Sequence, residues 1–503
     1  MKEKKRVVLK MKYIIVIDQG TTSTRAIIFN QAGEVIASSQ EEFRQIYPQP
    51  GYVEHDPIDI LSSVRSVIST ALTKARVKHS EILSLAIANQ RETVVMWDKR
   101  TGEPIYNALV WQCRRTMERC LELKRLGYES VIRRKTGLRL DSYFSASKIE
   151  WLLKNVKRAS ELLEEDNLLV GTIDTYLMWQ LSGGRIYKTD YTNASRTMLY
   201  NIHELCWDEQ LCSLFRIPPK LLPEVCPSSS TFGYTDKDVL GFEVPICGVA
   251  GDQQASLFGQ CCFEKGDLKV TYGTGCFLLM NSLDEALSST NGLITTLSCQ
   301  TKTKPSYALE GSVFVGGAVI QWLRDELKLI TKASESEELA RSVAHTNGVY
   351  LVPAFVGLGA PYWNFEAEGI LTGITRGTNR AHIVRAALEG IAFEVNDVIE
   401  AMEKDISLKV QSIQVDGGAV ENGFLMEFQS DITDATIVRP DNKEVTALGA
   451  FYLAALEQKI FANIEEIKAC NKGEQVFHPQ MSKDRRRELL AGWDKAVRKS
   501  SAK

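Results

Sequence analysis

Short apolar runs that stop at acids or glycines recur along the chain and alternate with longer amphipathic stretches. Tyr13-Ile-Ile-Val-Ile-Asp18 reads as a buried strand that leaves at a carboxylate. Gln19-Gly20-Thr21-Thr22-Ser23-Thr24 then supplies turn-forming, hydroxyl-rich residues before Arg25-Ala-Ile-Ile-Phe29 resumes a strand. Half a chain later residues 267–272, Gly273-Thr274-Gly275 and residues 276–280 repeat that strand, turn and strand. Two such hairpins predict two related halves, one hairpin in each. A helix opening at Asp56-Pro57 runs over 58–75, with Ile60, Val64, Val67, Ile68 and Leu72 on one face. Strand-like runs at 82–88, 168–173 and 245–250 alternate with helical patterns, which predicts layered α/β domains. Past a boundary near 260–265, residues 312–320, 349–354 and 412–415 read as strands or apolar core. Residues 382–402, 422–433 and 483–498 read as helices.

At 503 residues the chain exceeds the size at which one hydrophobic core keeps growing. Two domains are expected, 1–261 and 262–503, each with its own hairpin. A composition of 44% hydrophobic and 24% charged residues is that of an ordinary globular protein. The net charge of -3 provides no basic field for nucleic acid or anionic lipid, so any phosphate must be bound locally. Residues 342–365 are uncharged, but Pro353, Gly357, Gly359 and Pro361 interrupt them, which argues against insertion in a membrane. Residues 1–12 are basic yet lack the apolar run and cleavage site of a signal peptide, so a cytoplasmic location is expected, with the start at Met1 or Met11 open. Eleven cysteines without C-x-x-C spacing read as small buried hydrophobes, and six scattered histidines lack metal-ligand spacing.

The candidate chemistry sits where the apolar runs end. Backbone N–H groups and hydroxyls around Gly20 to Thr22 suit the oxygens of a terminal phosphate. Asp18 fits either an Asx turn or a Mg2+ ligand, since magnesium needs only one or two carboxylates beside water and phosphate oxygens. No G-x-x-x-x-G-K-[ST] motif occurs, which excludes a P-loop. Gly273-Thr274-Gly275 is either a plain turn or a second phosphate loop. Val415-Asp416-Gly417-Gly418-Ala419 permits close packing or the approach of a flat ligand such as adenosine. Asp252, after the run 245–250, is either a helix N-cap or a carboxylate able to take a hydroxyl proton during phosphoryl transfer. Arg91-Glu92 supplies donors and an acceptor for a small polyol or is a solvated pair, and Trp111, Tyr143 and Phe277 are core aromatics or its apolar wall.

Together these residues resemble the FGGY carbohydrate kinases. Tyr143-Phe-Ser-Ala-Ser-Lys148-Ile-Glu-Trp151-Leu-Leu-Lys-Asn155 is similar to that family's first signature. Gly369-Ile-Leu-Thr-Gly373-Ile374 through His382-Ile-Val-Arg-Ala-Ala-Leu-Glu389 is similar to its second. Asn89-Gln-Arg-Glu-Thr93, Trp111-Gln-Cys-Arg-Arg-Thr116 and Gly251-Asp-Gln-Gln254 resemble the branch that acts on glycerol. The resemblance implies two actin-like (ribonuclease H-like) domains, each a mixed sheet flanked by helices, with the active site in a cleft. It implies MgATP and glycerol as substrates, sn-glycerol 3-phosphate as product, and a role in glycerol uptake and catabolism. Arg91, Glu92, Tyr143, Asp252 and Gln253 would bind the hydroxyls, Trp111 and Phe277 the carbons, and Asp252 would be the base. Gly20, Thr21, Thr22, Ser23, Arg25, Thr274, Gly317, Gln321, Gly418 and Asn422 would bind ATP, and Asp18 would serve Mg2+ through water. A homo-oligomer, dimer or tetramer, is expected. Glu243 stands where some relatives carry an arginine for a sugar bisphosphate, and Thr231-Phe-Gly-Tyr234 lacks the histidine that others have phosphorylated, which argues against both forms of regulation.

Overall fold

The apolar runs become the spines of two separate sheets. The computed structural model describes residues 11–299, 301, 305–470 and 474–502. The chain folds into two compact units, one within Met1–Cys261, Thr296–Ser306 and Glu444–Asn471, the other within Cys262–Thr295, Tyr307–Lys443 and Lys472–Lys503.

In the first unit, strands are ordered Thr231–Tyr234, Pro245–Gly251, Ile82–Asn89, Tyr13–Gln19, Ser23–Asn30 and Val35–Glu42. Ile14 to Ile17 are all buried because both sheet faces are covered. Ile15 and Ile17 join the cluster of Ile60 and Val64 on helix Pro57–Ala75, which Asp56 caps through a 2.8 Å bond from the Ile58 N–H. Alternation turns Phe29 to the other face, where it meets Phe451 of helix Val445–Glu457 at 5.0 Å between ring centroids.

Three strands run parallel here and finish level, with Gln19 and Gly251 both beside Asn89. The residues that follow each strand therefore share one sheet edge, the edge at which ligands bind in parallel α/β sheets. Asp18, Arg91-Glu92 and Asp252 all come from it.

The second unit repeats the device. Leu268–Tyr272 pairs antiparallel with Cys276–Leu283 and parallel with Ser412–Asp416, with Thr271 beside Asp416. The turn 273–275 and the glycines at 417–418 thus emerge side by side. The 27-residue helix Arg380–Ile406, capped by the Asn379 side chain, supplies much of this unit's core. Residues 312–320 differ from the continuous apolar element expected. The strand Tyr307–Val313 stops there and helix Ala318–Asp325 begins, because Gly316 and Gly317 turn the chain and donate their N–H groups to the carbonyls of Thr274 and Gly273. Among the described residues no helix is long and apolar enough to cross a membrane.

Candidate active site

Asp18 lies deep at the shared edge of the first unit with part of its surface open. Burial pushes its carboxyl up to about 7; Arg25 pulls it down, and Asp252 and Glu444 raise it further. A carboxyl raised mainly by burial is one whose charged form a bound cation would stabilise. Among the described residues no cluster of three or more Asp, Glu, His or Cys could hold a metal by itself. A cation shared with phosphate oxygens and water therefore fits Asp18 better than an all-protein cage.

The adjoining turn is tight. Gly20 N–H donates to the Ser23 carbonyl at 3.0 Å, Thr21 Oγ1 accepts from Trp111 Nε1 at 3.0 Å, and Thr22 is exposed. Arg25 is engaged elsewhere on its own unit, its guanidinium donating to Glu444 Oε2 at 3.0 Å and Gln40 Oε1 at 3.1 Å.

Asp252 is the first residue of helix Asp252–Gly259, and Gly251 occupies the cap position. The N-cap reading of Asp252 is therefore corrected. Its Oδ1 accepts the Gln253 N–H at 2.7 Å and lies 3.4 Å from Arg91 Nε, with the side chain 29% exposed. Arg91 is buried and donates from Nη1 to Gln254 Oε1 at 3.1 Å, so it is not a solvated surface group. A Cβ on Gly251 would lie 2.7 Å from Arg91 Cγ and Cδ, so glycine is what lets this side chain reach Asp252. Glu92, also buried, has φ of 61°, in the left-handed region, and its carbonyl accepts from Ser145 Oγ at 2.9 Å. Tyr143 packs edge-on to Trp111 at 5.5 Å. Lys148, whose ammonium is pushed down to about 8 by burial, holds the Tyr143 loop by donating to the carbonyls of Tyr143 (2.9 Å) and Ser142. The structure thus brings Thr21, Trp111, Tyr143, Arg91, Glu92, Asp252 and Gln253 into one part of the first unit.

In the second unit a cavity of about 380 Å³ is lined by Thr274, Gly317, Gln321, Gly418 and Asn422, all five of the nucleotide positions expected from this half. That size is at the lower end of small-molecule sites. Gly417 has φ of 94° and a Cβ there would meet the Tyr272 carbonyl at 2.4 Å, whereas a Cβ on Gly418 would meet nothing within 4 Å. One glycine is demanded by the backbone and the other keeps the cavity open. Asn422 caps helix Gly423–Thr433 and donates to Ser336 Oγ at 3.1 Å. Phe277 is half-buried on its strand, opposite Thr271 and Ser312.

Sequence reading passed over Lys148 as a support and the whole segment 188–197. Lys188-Thr-Asp-Tyr-Thr-Asn-Ala-Ser-Arg-Thr197 is polar and follows neither helical nor strand periodicity, yet every residue from Thr192 to Thr197 is buried. Asn193 exchanges amide hydrogen bonds with Asn89 at 2.9 and 3.0 Å, and Gly251 N–H donates to Thr192 Oγ1 at 2.7 Å. A long polar run without periodicity was the available signal.

A glycine hairpin in each unit, a partly exposed acid at a strand edge and a glycine-floored cavity are the parts of a small-molecule phosphotransferase. Residues 13–259 match the FGGY family of carbohydrate kinases, N-terminal domain, and residues 268–457 the C-terminal domain. The chain is 54% identical over 490 residues to glycerol kinase 2 of Thermotoga maritima, covering 97% of this chain and 99% of that one. It is 55% identical over 487 residues to a glycerol kinase of Lachnoclostridium phytofermentans, covering 97% and 98%. The structure superposes on Plasmodium falciparum glycerol kinase with ADP at a TM-score of 0.93, with 37% identity, covering 98% of this chain and 99% of that one. The protein belongs to the FGGY family of carbohydrate kinases and has that family's two-domain, actin-like ATPase fold.

Proposed function

We propose that this enzyme transfers the terminal phosphoryl group of ATP to a primary hydroxyl of glycerol, giving sn-glycerol 3-phosphate. The observation that carries the reading is the cluster of buried Arg91 and Glu92 beside partly exposed Asp252, which sets donors and acceptors for several hydroxyls around one potential base. Relatives 54–55% identical over nearly the whole chain bear the name glycerol kinase, which supports the same substrate.

Arg91 donates to one hydroxyl, Glu92 accepts from another, and Tyr143 and Gln253 complete the set, with Trp111 and Phe277 against the carbons. Asp252 accepts the proton of the attacking hydroxyl as the new oxygen–phosphorus bond forms in line with the bond breaking to ADP. Backbone N–H groups and hydroxyls of Gly20 to Ser23 and Thr274 hold phosphate oxygens, and Arg25 turns from Glu444 toward them. Gly317, Gln321, Gly418 and Asn422 receive the adenosine. Asp18 would hold Mg2+ through water; when bound, that ion neutralises charge on the phosphates. Water is the competing nucleophile, and its exclusion from the polyol cluster would keep the transfer from becoming hydrolysis. A phosphate monoester does not leave across a bilayer as glycerol does, which fits a cytoplasmic enzyme of glycerol uptake and catabolism.

A substrate panel read by coupled ADP release tests the substrate. Glycerol is expected to be turned over far faster than xylulose or other pentuloses; strong xylulose turnover with none of glycerol would overturn the reading. EDTA should abolish activity and added Mg2+ restore it, whereas full activity in EDTA removes the metal from the reaction.

The two neighbouring glycines give a paired prediction. Gly418→Val fills the cavity and should raise the KM for ATP about tenfold, a loss of ~1.4 kcal/mol, with melting little changed. Gly417→Ala forces a Cβ onto the Tyr272 carbonyl and should cost about 1–3 kcal/mol of stability. Equal melting of both variants in thermal denaturation would contradict this division.

A further inference from the structure

A buried arginine reaches the polyol cluster from the segment that sequence reading passed over. Arg196 lies just past the short helix Tyr191–Ala194, which Asp190 caps. Its Nε donates to Glu92 Oε1 at 2.6 Å, and the two side chains are 0% and 2% exposed. The same guanidinium stands 5.7 Å from the Tyr143 ring centroid and 5.2 Å from that of Phe144. Arg91 Nε is 3.9 Å from that Glu92 oxygen, beyond hydrogen-bond range, and 3.4 Å from Asp252.

A buried arginine–carboxylate pair is a poor source of stability, because desolvating both ions offsets most of their attraction and an apolar pair of similar volume does as well or better. What it does supply is direction, since the planar guanidinium fixes a carboxylate in orientation as well as position. Glu92 requires that, because its left-handed backbone is disfavoured for a residue with a side chain and persists only where the surroundings hold it. The segment bearing Arg196 is pinned in turn to the strand ends that carry the site, through Asn193 to Asn89 and Thr192 to Gly251.

The geometry points to Arg196 as a positioning residue for the acceptor substrate: it aims the Glu92 carboxylate as an ionised hydrogen-bond acceptor and backs the Tyr143 ring. This rests on reading the cluster as the glycerol site. Arg196 acts through Glu92 and Tyr143, so its loss weakens glycerol binding more than it slows the chemical step and leaves the nucleotide site alone.

The test is steady-state kinetics on full-length Arg196→Met, Arg196→Lys, Glu92→Gln and the Arg196→Met/Glu92→Gln double variant, with melting curves for each. Arg196→Met should raise the KM for glycerol about tenfold or more, lower kcat by less than about threefold and leave the KM for ATP within about twofold. Arg196→Lys keeps the charge without the fork and should restore part of the affinity. In the Glu92→Gln background the Arg196 substitution should add less than about threefold, since the two act as a unit. An unchanged glycerol KM in folded Arg196→Met, parallel rises in both KM values, or additive effects in the double variant would overturn the proposal. Should Arg196→Met not fold, an unchanged glycerol KM in Arg196→Lys would overturn it equally. Wild-type enzyme without glycerol-dependent ADP release would instead sink the functional reading, and the proposal with it.

Discussion

Asp252→Asn should lower turnover on the order of 10²-fold or more while melting and ATP affinity stay close to wild type. Asparagine has the same shape, and its carbonyl oxygen can still accept the Gln253 N–H that Asp252 accepts at 2.7 Å. It cannot take a proton from an attacking hydroxyl. The residue opens its helix rather than capping it, with Gly251 at the cap, so the substitution removes no cap hydrogen bond. The ion left behind is Arg91, 3.4 Å away and 2% exposed, and its penalty is limited because Glu92 stays 3.9 Å from it and its hydrogen bond to Gln254 Oε1 is kept. Kinetics and thermal denaturation on the same preparation separate the outcomes. Full activity would remove Asp252 from the chemistry, and a collapse of melting with activity would make it structural.

The second large effect is expected far from any substrate. Helices Asp252–Gly259 and Val445–Glu457 cross with glycines at their closest approach: a Cβ on Gly449 would lie 1.8 Å from the Ala255 carbonyl oxygen, and one on Gly259 would lie 2.0 Å from that of Val445. The obstructing atoms are backbone, so no rotamer change relieves them and the helices must move apart. Gly449→Ala should cost on the order of 3 kcal/mol, about 5–10 °C in melting temperature. Because the displaced helix begins at Asp252, kcat should fall as well. Gly377→Ala is the control, since its added Cβ meets nothing closer than 3.7 Å. Equal melting of Gly449→Ala and wild type would show that the crossing is not tight.

Both glycine hairpins, the helix 58–75 and the exit of the run 245–250 at Asp252 could be read from the order of residues, because each depends on neighbours within a few positions. Residues 312–320 could not be resolved, since Val313, Phe314, Val315 and the residues from Ala318 to Ile320 form a nearly continuous apolar stretch in which period 2 and period 3.6 are indistinguishable. The state of Arg25 was hidden for a different reason: its partner Glu444 is 419 residues away. Arg196 meets Glu92 across 104 residues, and nothing in its own surroundings marks it as buried. The close approach at Gly449 likewise exists only once two distant helices are packed. Local chemistry was legible; the long-range pairings that orient it were not.

The most direct measurement is ATP consumption by the purified enzyme with and without glycerol, with the product followed by 31P NMR. Phosphoryl transfer through Asp252 to a bound polyol predicts that glycerol accelerates ADP formation by about 10²-fold or more, the scale of removing an essential reactant, and that the phosphorus appears as a glycerol phosphate monoester on a primary hydroxyl. ADP formation at the same rate without glycerol, with all phosphorus released as inorganic phosphate, would contradict it.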